Sequence, residues 1–230
     1  MDFRDKTVVV TGGTGALGRA VVGALLDAGA RCHVPYVLQA EADSFPFKDR
    51  VQLIPDCDLT DEAAVARLYD GVRGRLFASI HIAGGFAMSP LAETGKAGLM
   101  AMLDANLVSC HLCSRAALHA FGPDGGRIVN VAARKGLEPQ TGAGMTAYVV
   151  SKAAVAALTQ ALAAEVVQKN VLVNAVAPSI IDTPANRAAM PDAPHDTWPT
   201  PAQIAEAILF LASPRNRVTS GAVMPVYGRA

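Results

Sequence analysis

Short β-branched runs alternate with longer alanine- and leucine-rich stretches along the whole chain. TVVVTG (7–12), CHVPYV (32–37), VQLIPDCDL (51–59), LFASIHIAGG (76–85), RIVNVAA (127–133), VLVNAVAP (171–178) and AVMPVY (222–227) read as strands. Helical patterns run from Gly15 to Ala28, with Gly29 as a natural stop, over 61–73 with Thr60 as cap, from Gly98 to His119, over 146–168 and over 201–212. The strands are apolar at nearly every residue, so both faces of their sheet are covered. Strand and helix in regular succession predict a parallel sheet wound in both directions, of about seven strands, with helices on both faces. Residues 1–230 read as one α/β domain. The proline-rich stretch 183–200, TPANRAAMPDAPHDTWPT, reads as a loop over a site, because sheet-like sequence resumes after it.

Composition adds mainly exclusions. Hydrophobic residues make up 51% and charged residues 17%, which argues against disorder. Lys+Arg 20 balances Asp+Glu 20, so no basic surplus points to nucleic acid or an anionic membrane. The start, MDFRDKTVVV, places charges where a secretory signal needs apolar residues, and no uninterrupted apolar run approaches the ~18 residues of a membrane span. The expected location is the cytoplasm. Cys110 and Cys113 form CHLC inside a helical pattern without a second ligand pair, so they read as buried free thiols, and no metal site is expected. His81 reads as filling a strand end, His111 and His119 as helix residues and His195 as a surface-loop residue.

TGGTGALG (11–18) joins the first strand to the first helix. Glycines at 12, 15 and 18 allow a sharp turn and a close approach of pyrophosphate to the N–H groups of Ala16, Leu17 and Gly18, beside Thr14. That is the phosphate turn of a Rossmann-type dinucleotide site. Asp58, followed by Leu59, can accept from an adenine amino group or belong to a capping turn with Thr60 and Asp61. Ala83, Gly84 and Gly85 keep the end of the fourth strand small, so that a ligand can lie along it.

Tyr148 and Lys152, in TAYVVSK (146–152), lie four residues apart and share a helix face. The ordered set of TGGTGALG, DLT (58–60), IAGG (82–85), Asn106 in DANLVS, YVVSK and VNAVAPSIIDTP (173–184) resembles the short-chain dehydrogenase/reductase family over essentially the whole chain. The resemblance implies NAD(H) or NADP(H) as cofactor, a small-molecule substrate and a homo-oligomer, tetramer or dimer. It implies Tyr148 as proton donor or acceptor, Lys152 on the nicotinamide ribose and lowering the tyrosine's pKa, and Asn106 in a water-mediated relay. Pro178, Ile181 and Thr183 would complete the cofactor site. The alanine-rich stretch 153–164 reads as close helix packing between subunits.

The family also places a serine at the end of the fifth strand. Here Ala132 or Ala133 stands there, and Thr141 and Thr146 are the nearby hydroxyls. One subgroup, quinoid dihydropteridine reductase, is similar in having alanine at that place, and in GALG, in AGGF ending at Phe86 and in the loop with Arg187 and Trp198. Phe86, Ala133, Arg187 and Trp198 are therefore the substrate candidates. The alternatives are a carbonyl/alcohol substrate, a quinonoid pterin, or a catalytically weak dinucleotide binder. Tyr36 stands where an NAD enzyme carries an acid and an NADP enzyme has a nearby arginine; Glu41 and Asp43 follow, with no cation between Arg31 and Lys48. The expected cofactor is NAD(H), with NADP(H) possible.

Overall fold

The computed structural model describes residues 1–229. Seven strands form one parallel sheet in the order β3-β2-β1-β4-β5-β6-β7. They are β1 Thr7–Thr11, β2 Arg31–Pro35, β3 Gln52–Ile54, β4 Leu76–His81, β5 Gly126–Val131, β6 Val171–Pro178 and β7 Val223–Val226. The helices are α1 Ala16–Asp27, α2 Gln39–Asp43, α3 Glu62–Asp70, α4 Lys96–Leu103, α5 Ser109–Ala120, α6 Arg134–Leu137, α7 Thr146–Glu165, α8 Pro184–Ala189 and α9 Pro201–Ala212. Successive strand residues point to opposite faces. Val8 and Val10 therefore pack with Val21, Leu25, Ile204 and Ile208 of α1 and α9. Val9 packs with Leu68, Cys113, Ala117 and Leu162 of α3, α5 and α7. The chain leaves β1 towards β2 and β3, then returns to the other side at β4. That reversal opens a crevice beyond the carboxyl ends of β1 and β4, where ligands bind in such sheets.

Several boundaries differ from the sequence expectation, each for a local reason. The run 51–59 yields only three strand residues, because Pro55 lacks an N–H and Asp56 turns to φ 51°. Helix α3 is capped by Asp61, whose carboxylate accepts from the Ala63 N–H, and not by Thr60, which bonds to Asp58. The helical stretch expected over 98–119 begins at Lys96 and is interrupted by a π-helical segment at Asp104–Val108. The loop 183–200 contains α8, and its base is closed by the Asp182 N–H donating to Pro199 O at 2.9 Å. Among the described residues, α7 is long and apolar enough to cross a membrane, with a mean hydropathy of 1.4 over an 18-residue window. Here it lies on the sheet, with Val149, Val155 and Leu162 buried. Cys110 and Cys113 are buried free thiols, and no cluster of metal-binding side chains exists among the described residues.

Candidate active site

The phosphate turn needs its glycines at two points. Gly12 has φ 65°, and a Cβ there would stand 2.6 Å from the Ala83 nitrogen. A Cβ on Gly18 would stand 2.1 Å from Gly12 O. No side chain caps α1 at Gly15, and Gly15 and Ala16 are exposed, so the first N–H groups of the helix have no competing side-chain partner. Leu17 is buried in the core beneath them.

On the adenosine side, Thr14 is buried and its hydroxyl donates to Glu41 Oε2 at 2.6 Å. The Thr14 carbonyl accepts from Arg19 Nε at 2.7 Å, and Arg19 Nη2 reaches Ser44 Oγ at 2.8 Å. Arg19 is thus a cation that the stretch between Arg31 and Lys48 could not reveal; it arrives from α1. The Tyr36 hydroxyl donates to Gln39 Oε1 at 3.1 Å. Asp58 Oδ1 accepts from the Thr60 N–H at 2.8 Å and from its hydroxyl at 2.7 Å, which holds the carboxyl below its usual range. Asp58 therefore sits in the capping-type turn, exposed, with Leu59 half-buried beside it.

Beyond β4 the chain forms a narrow ledge. The Ala83 N–H donates to Thr11 Oγ1 at 3.4 Å. Asn106 grips Gly85 on both sides: Oδ1 accepts from its N–H, and Nδ2 donates to its carbonyl, each at 3.0 Å. The same Nδ2 donates to Ser151 Oγ at 3.0 Å, and Ser151 donates to Tyr148 O at 2.7 Å. The side chain of Asn106 is therefore a clamp between ledge and helix, with Oδ1 accepting one bond and Nδ2 donating two. The π-helical segment carrying Asn106 is a feature found often at functional sites. At Gly84, a Cβ would come within 2.4 Å of Asn106 Oδ1 and 3.3 Å of Lys152 Nζ.

Lys152 is 6% exposed and donates from Nζ to Val131 O at 2.8 Å. Burial pushes its pKa down to about 8, an effect only partly opposed by Cys110. Tyr148 is half-buried, and burial pushes its phenol up to about 12. No hydrogen bond engages the Tyr148 hydroxyl among the described residues. Its ring meets the edge of Phe86, with centroids 5.0 Å apart and planes at 78°. Phe86 is 63% exposed.

The structure separates the two alanines. Ala132 packs in an apolar cluster with Cys110, Val155 and Ala156, whereas Ala133, also buried, lies beyond β5 as the residue that precedes α6. Of the two places expected for the family's serine, Ala133 is the one at the helix start. Thr141 Oγ1 is engaged with Glu138 O and Lys135, and Thr146 is exposed at the start of α7, so neither replaces it. Pro178 ends β6, Ile181 is half-buried beyond it, and the Thr183 hydroxyl caps α8 by accepting from the Asn186 N–H. Arg187 is committed to Asp182 through bonds of 2.5 and 2.9 Å. Trp198 is 5% exposed, its ring on His195 at 4.7 Å. Arg187 and Trp198 are thus held within the loop, and neither has a hydrogen bond or ring contact with Tyr148 among the described residues. Sequence reasoning missed Ser151 and the Glu41–Thr14 bond. The serine next to Lys152 was a legible signal; the reach of Glu41 from α2 to the phosphate turn was not.

The residues fit a nicotinamide dinucleotide, from an uncapped helix start beside a glycine turn to a ledge whose Gly84 has no room for a Cβ. Comparison with known proteins agrees. A family model described as enoyl-(acyl carrier protein) reductase matches residues 13–228. A galactitol 2-dehydrogenase of Rhizobium johnstonii is 35% identical over 96% of this chain and 93% of its own. Carbonyl reductase family member 4 of Danio rerio is 30% identical over 90% of each chain. A short-chain type dehydrogenase/reductase from Mycobacterium ulcerans superposes with a TM-score of 0.86 at 25% identity, covering 100% of this chain and 90% of the other. ElxO, solved with NADP bound, shares the fold with a TM-score of 0.85 at 24% identity, covering 97% and 98%. With the matches running from phosphate turn to last strand, the chain belongs to the short-chain dehydrogenase/reductase family.

Proposed function

We propose that this oxidoreductase transfers hydride between NAD(H) and a small carbonyl or alcohol, and that it works as a homo-oligomer in the cytoplasm. The observation that carries the reading is Lys152, buried between Val131 O and the Gly84 ledge four residues from a phenol with a free hydroxyl. Bound nicotinamide supplies or accepts the hydride. Gly12 to Gly18 hold the pyrophosphate, Asp58 and Leu59 border the adenine, and Tyr36 and Glu41 border the adenosine ribose. Ala83 to Gly85, Pro178, Ile181 and Thr183 enclose the nicotinamide end. Lys152 would bind the ribose hydroxyls with its two remaining ammonium protons while the third stays on Val131 O. Tyr148 moves the proton at the substrate oxygen. With its phenol pushed up by burial, it stands protonated at neutral pH and is poised as the acid of a reduction. The relatives named for galactitol and for carbonyl reduction support the substrate class.

Glu41, bonded to Thr14, places negative charge where a 2′-phosphate would lie, which favours NAD(H). Arg19 nearby keeps the preference modest.

A second reading, a quinonoid ring substrate, is favoured by Ala133, because a ring that gains conjugation on reduction spreads its charge and needs no serine hydroxyl. Phe86 offers such a ring an exposed aromatic face. The test is oxidation of NADH and NADPH against ketones, sugars, quinones and a quinonoid pterin, by the parent and by Ala133→Ser. A serine donor worth ~1.4 kcal/mol raises ketone turnover about tenfold and leaves a quinonoid substrate unchanged. Turnover of no compound with either cofactor would reduce the protein to a dinucleotide binder.

A further inference from the structure

Behind Lys152, on the face of the sheet covered by α3, α5 and α7, lies a buried polar chain that the proposed chemistry does not use. His81 ends β4 and is 3% exposed. Its Nδ1 stands 2.8 Å from Asn130 Oδ1, and its Nε2 stands 2.8 Å from Ser79 Oγ, which in turn lies 2.6 Å from the Tyr69 hydroxyl. Asn130 Nδ2 donates to Thr159 Oγ1 at 2.9 Å, and Thr159 donates to Val155 O at 2.8 Å.

The donors fix the direction of this chain. Thr159 has given its proton to Val155, so it must accept the amide of Asn130. Asn130 Oδ1 therefore faces His81 and must accept, which puts the proton on Nδ1. In the neutral ring Nε2 then accepts from Ser79, and Ser79 accepts from Tyr69. The neutral imidazole with its proton on Nδ1 satisfies this arrangement. Burial likewise disfavours the charged ring, against a smaller opposing effect of Asn130. Cys110 Sγ at 3.9 Å and Ser114 Oγ at 3.5 Å flank Nδ1 from α5, Tyr69 approaches from α3, and no carboxylate is bonded to the ring.

The network meets the active site through adjacent residues of β5. Asn130 holds Thr159, and Val131 holds Lys152. Thr159 lies seven residues, about two turns, beyond Lys152 on the same helix face. On its other side, His81 is separated only by Ile82 from the ledge of Ala83, Gly84 and Gly85.

We propose that His81 is a positioning residue for the Tyr148/Lys152 pair: its neutral ring orients the Asn130 amide, through which β5 fixes α7 at Thr159 and so holds Lys152 on Val131. This rests on the oxidoreductase reading only where turnover is measured.

The test compares the parent with His81→Leu, His81→Asn and Thr159→Val. Two readouts are used: kcat and KM, and titration of Lys152 by NMR of isotope-labelled lysine. His81→Leu and Thr159→Val lower kcat about tenfold, a modest share of what misplacement can cost, with NADH Kd and KM within about threefold. In both, the Lys152 titration midpoint moves by half a pH unit or more. His81→Asn, which keeps a donor towards Asn130, retains at least a third of the parental kcat. An unmoved Lys152 titration with kcat within twofold of the parent, in folded His81→Leu and Thr159→Val, overturns the proposal. So does a His81→Asn as impaired as His81→Leu, or a loss that follows NADH affinity instead of kcat. Should His81→Leu fail to fold, Thr159→Val decides alone. If the parent turns over nothing, the oxidoreductase reading falls, while the Lys152 titration still decides the role of His81.

Discussion

The two halves of the crevice are built on opposite plans. At the nicotinamide end, Asn106, Ser151, Lys152, His81, Asn130 and Thr159 are all buried, and each is bonded to a partner on another element or another turn. At the adenosine end, Tyr36, Asp58 and Glu41 are part- or fully exposed; Tyr36 and Asp58 rest on bonds within their own loops, and Glu41 on a single bond to Thr14. Buried partners in a low-dielectric setting are costly to misplace and hold one geometry. Exposed loop carboxylates are screened and readily exchanged for other residues. Chemistry belongs to the first kind of surface, and the choice between related cofactors to the second.

The largest effect expected from this contrast is at Tyr148. Tyr148→Phe keeps the ring against Phe86 and removes only the hydroxyl, which has no other bond to lose. Turnover falls roughly 10²–10⁴-fold, the range for a general acid or base, while NADH affinity changes little. Steady-state rates beside fluorescence titration of NADH measure both, and equal turnover in variant and parent would remove Tyr148 from the chemistry.

Next is the pH dependence of stability set by His81. Its folded pKa is depressed to about 4 from an ordinary 6.5. The unfolded state binds more protons between these values, so stability rises with pH across that window and is lost as pH falls through it. The contribution is about 3 kcal/mol, from ~1.4 kcal/mol per pH unit of difference. Urea unfolding at pH 7 and pH 4.5 should show a steep loss in the parent and a shallower one in His81→Leu. Parallel losses in the two proteins would mean that His81 does not govern the acid limb.

The smallest effect lies at the exposed end. Glu41→Gln removes one charge near the 2′ position and retains an acceptor for Thr14. NADPH gains about fivefold over NADH, ~1 kcal/mol for one screened charge pair. Competition binding with both cofactors measures it, and an unchanged ratio would transfer the discrimination to Arg19 or Tyr36.

The sequence by itself determined the layered α/β sheet, the phosphate turn and the Tyr148/Lys152 pair. These are local: apolar runs bury on two faces, glycines turn where a Cβ would clash, and residues four apart on a helix must share a face. Tertiary structure alone decided what those groups do next. It separated Ala132, packed with Cys110 and Val155, from Ala133, which starts the turn into α6. It turned Asn106 into a clamp on Gly85, drew Arg187 onto Asp182 and buried Trp198 against His195. It also brought Glu41 to Thr14 across 27 positions and His81 to Asn130 across 49. Such pairings depend on which strands become neighbours and which side chains are left without water. A one-dimensional pattern carries neither, since a hydrogen bond between distant residues leaves no periodic trace along the chain.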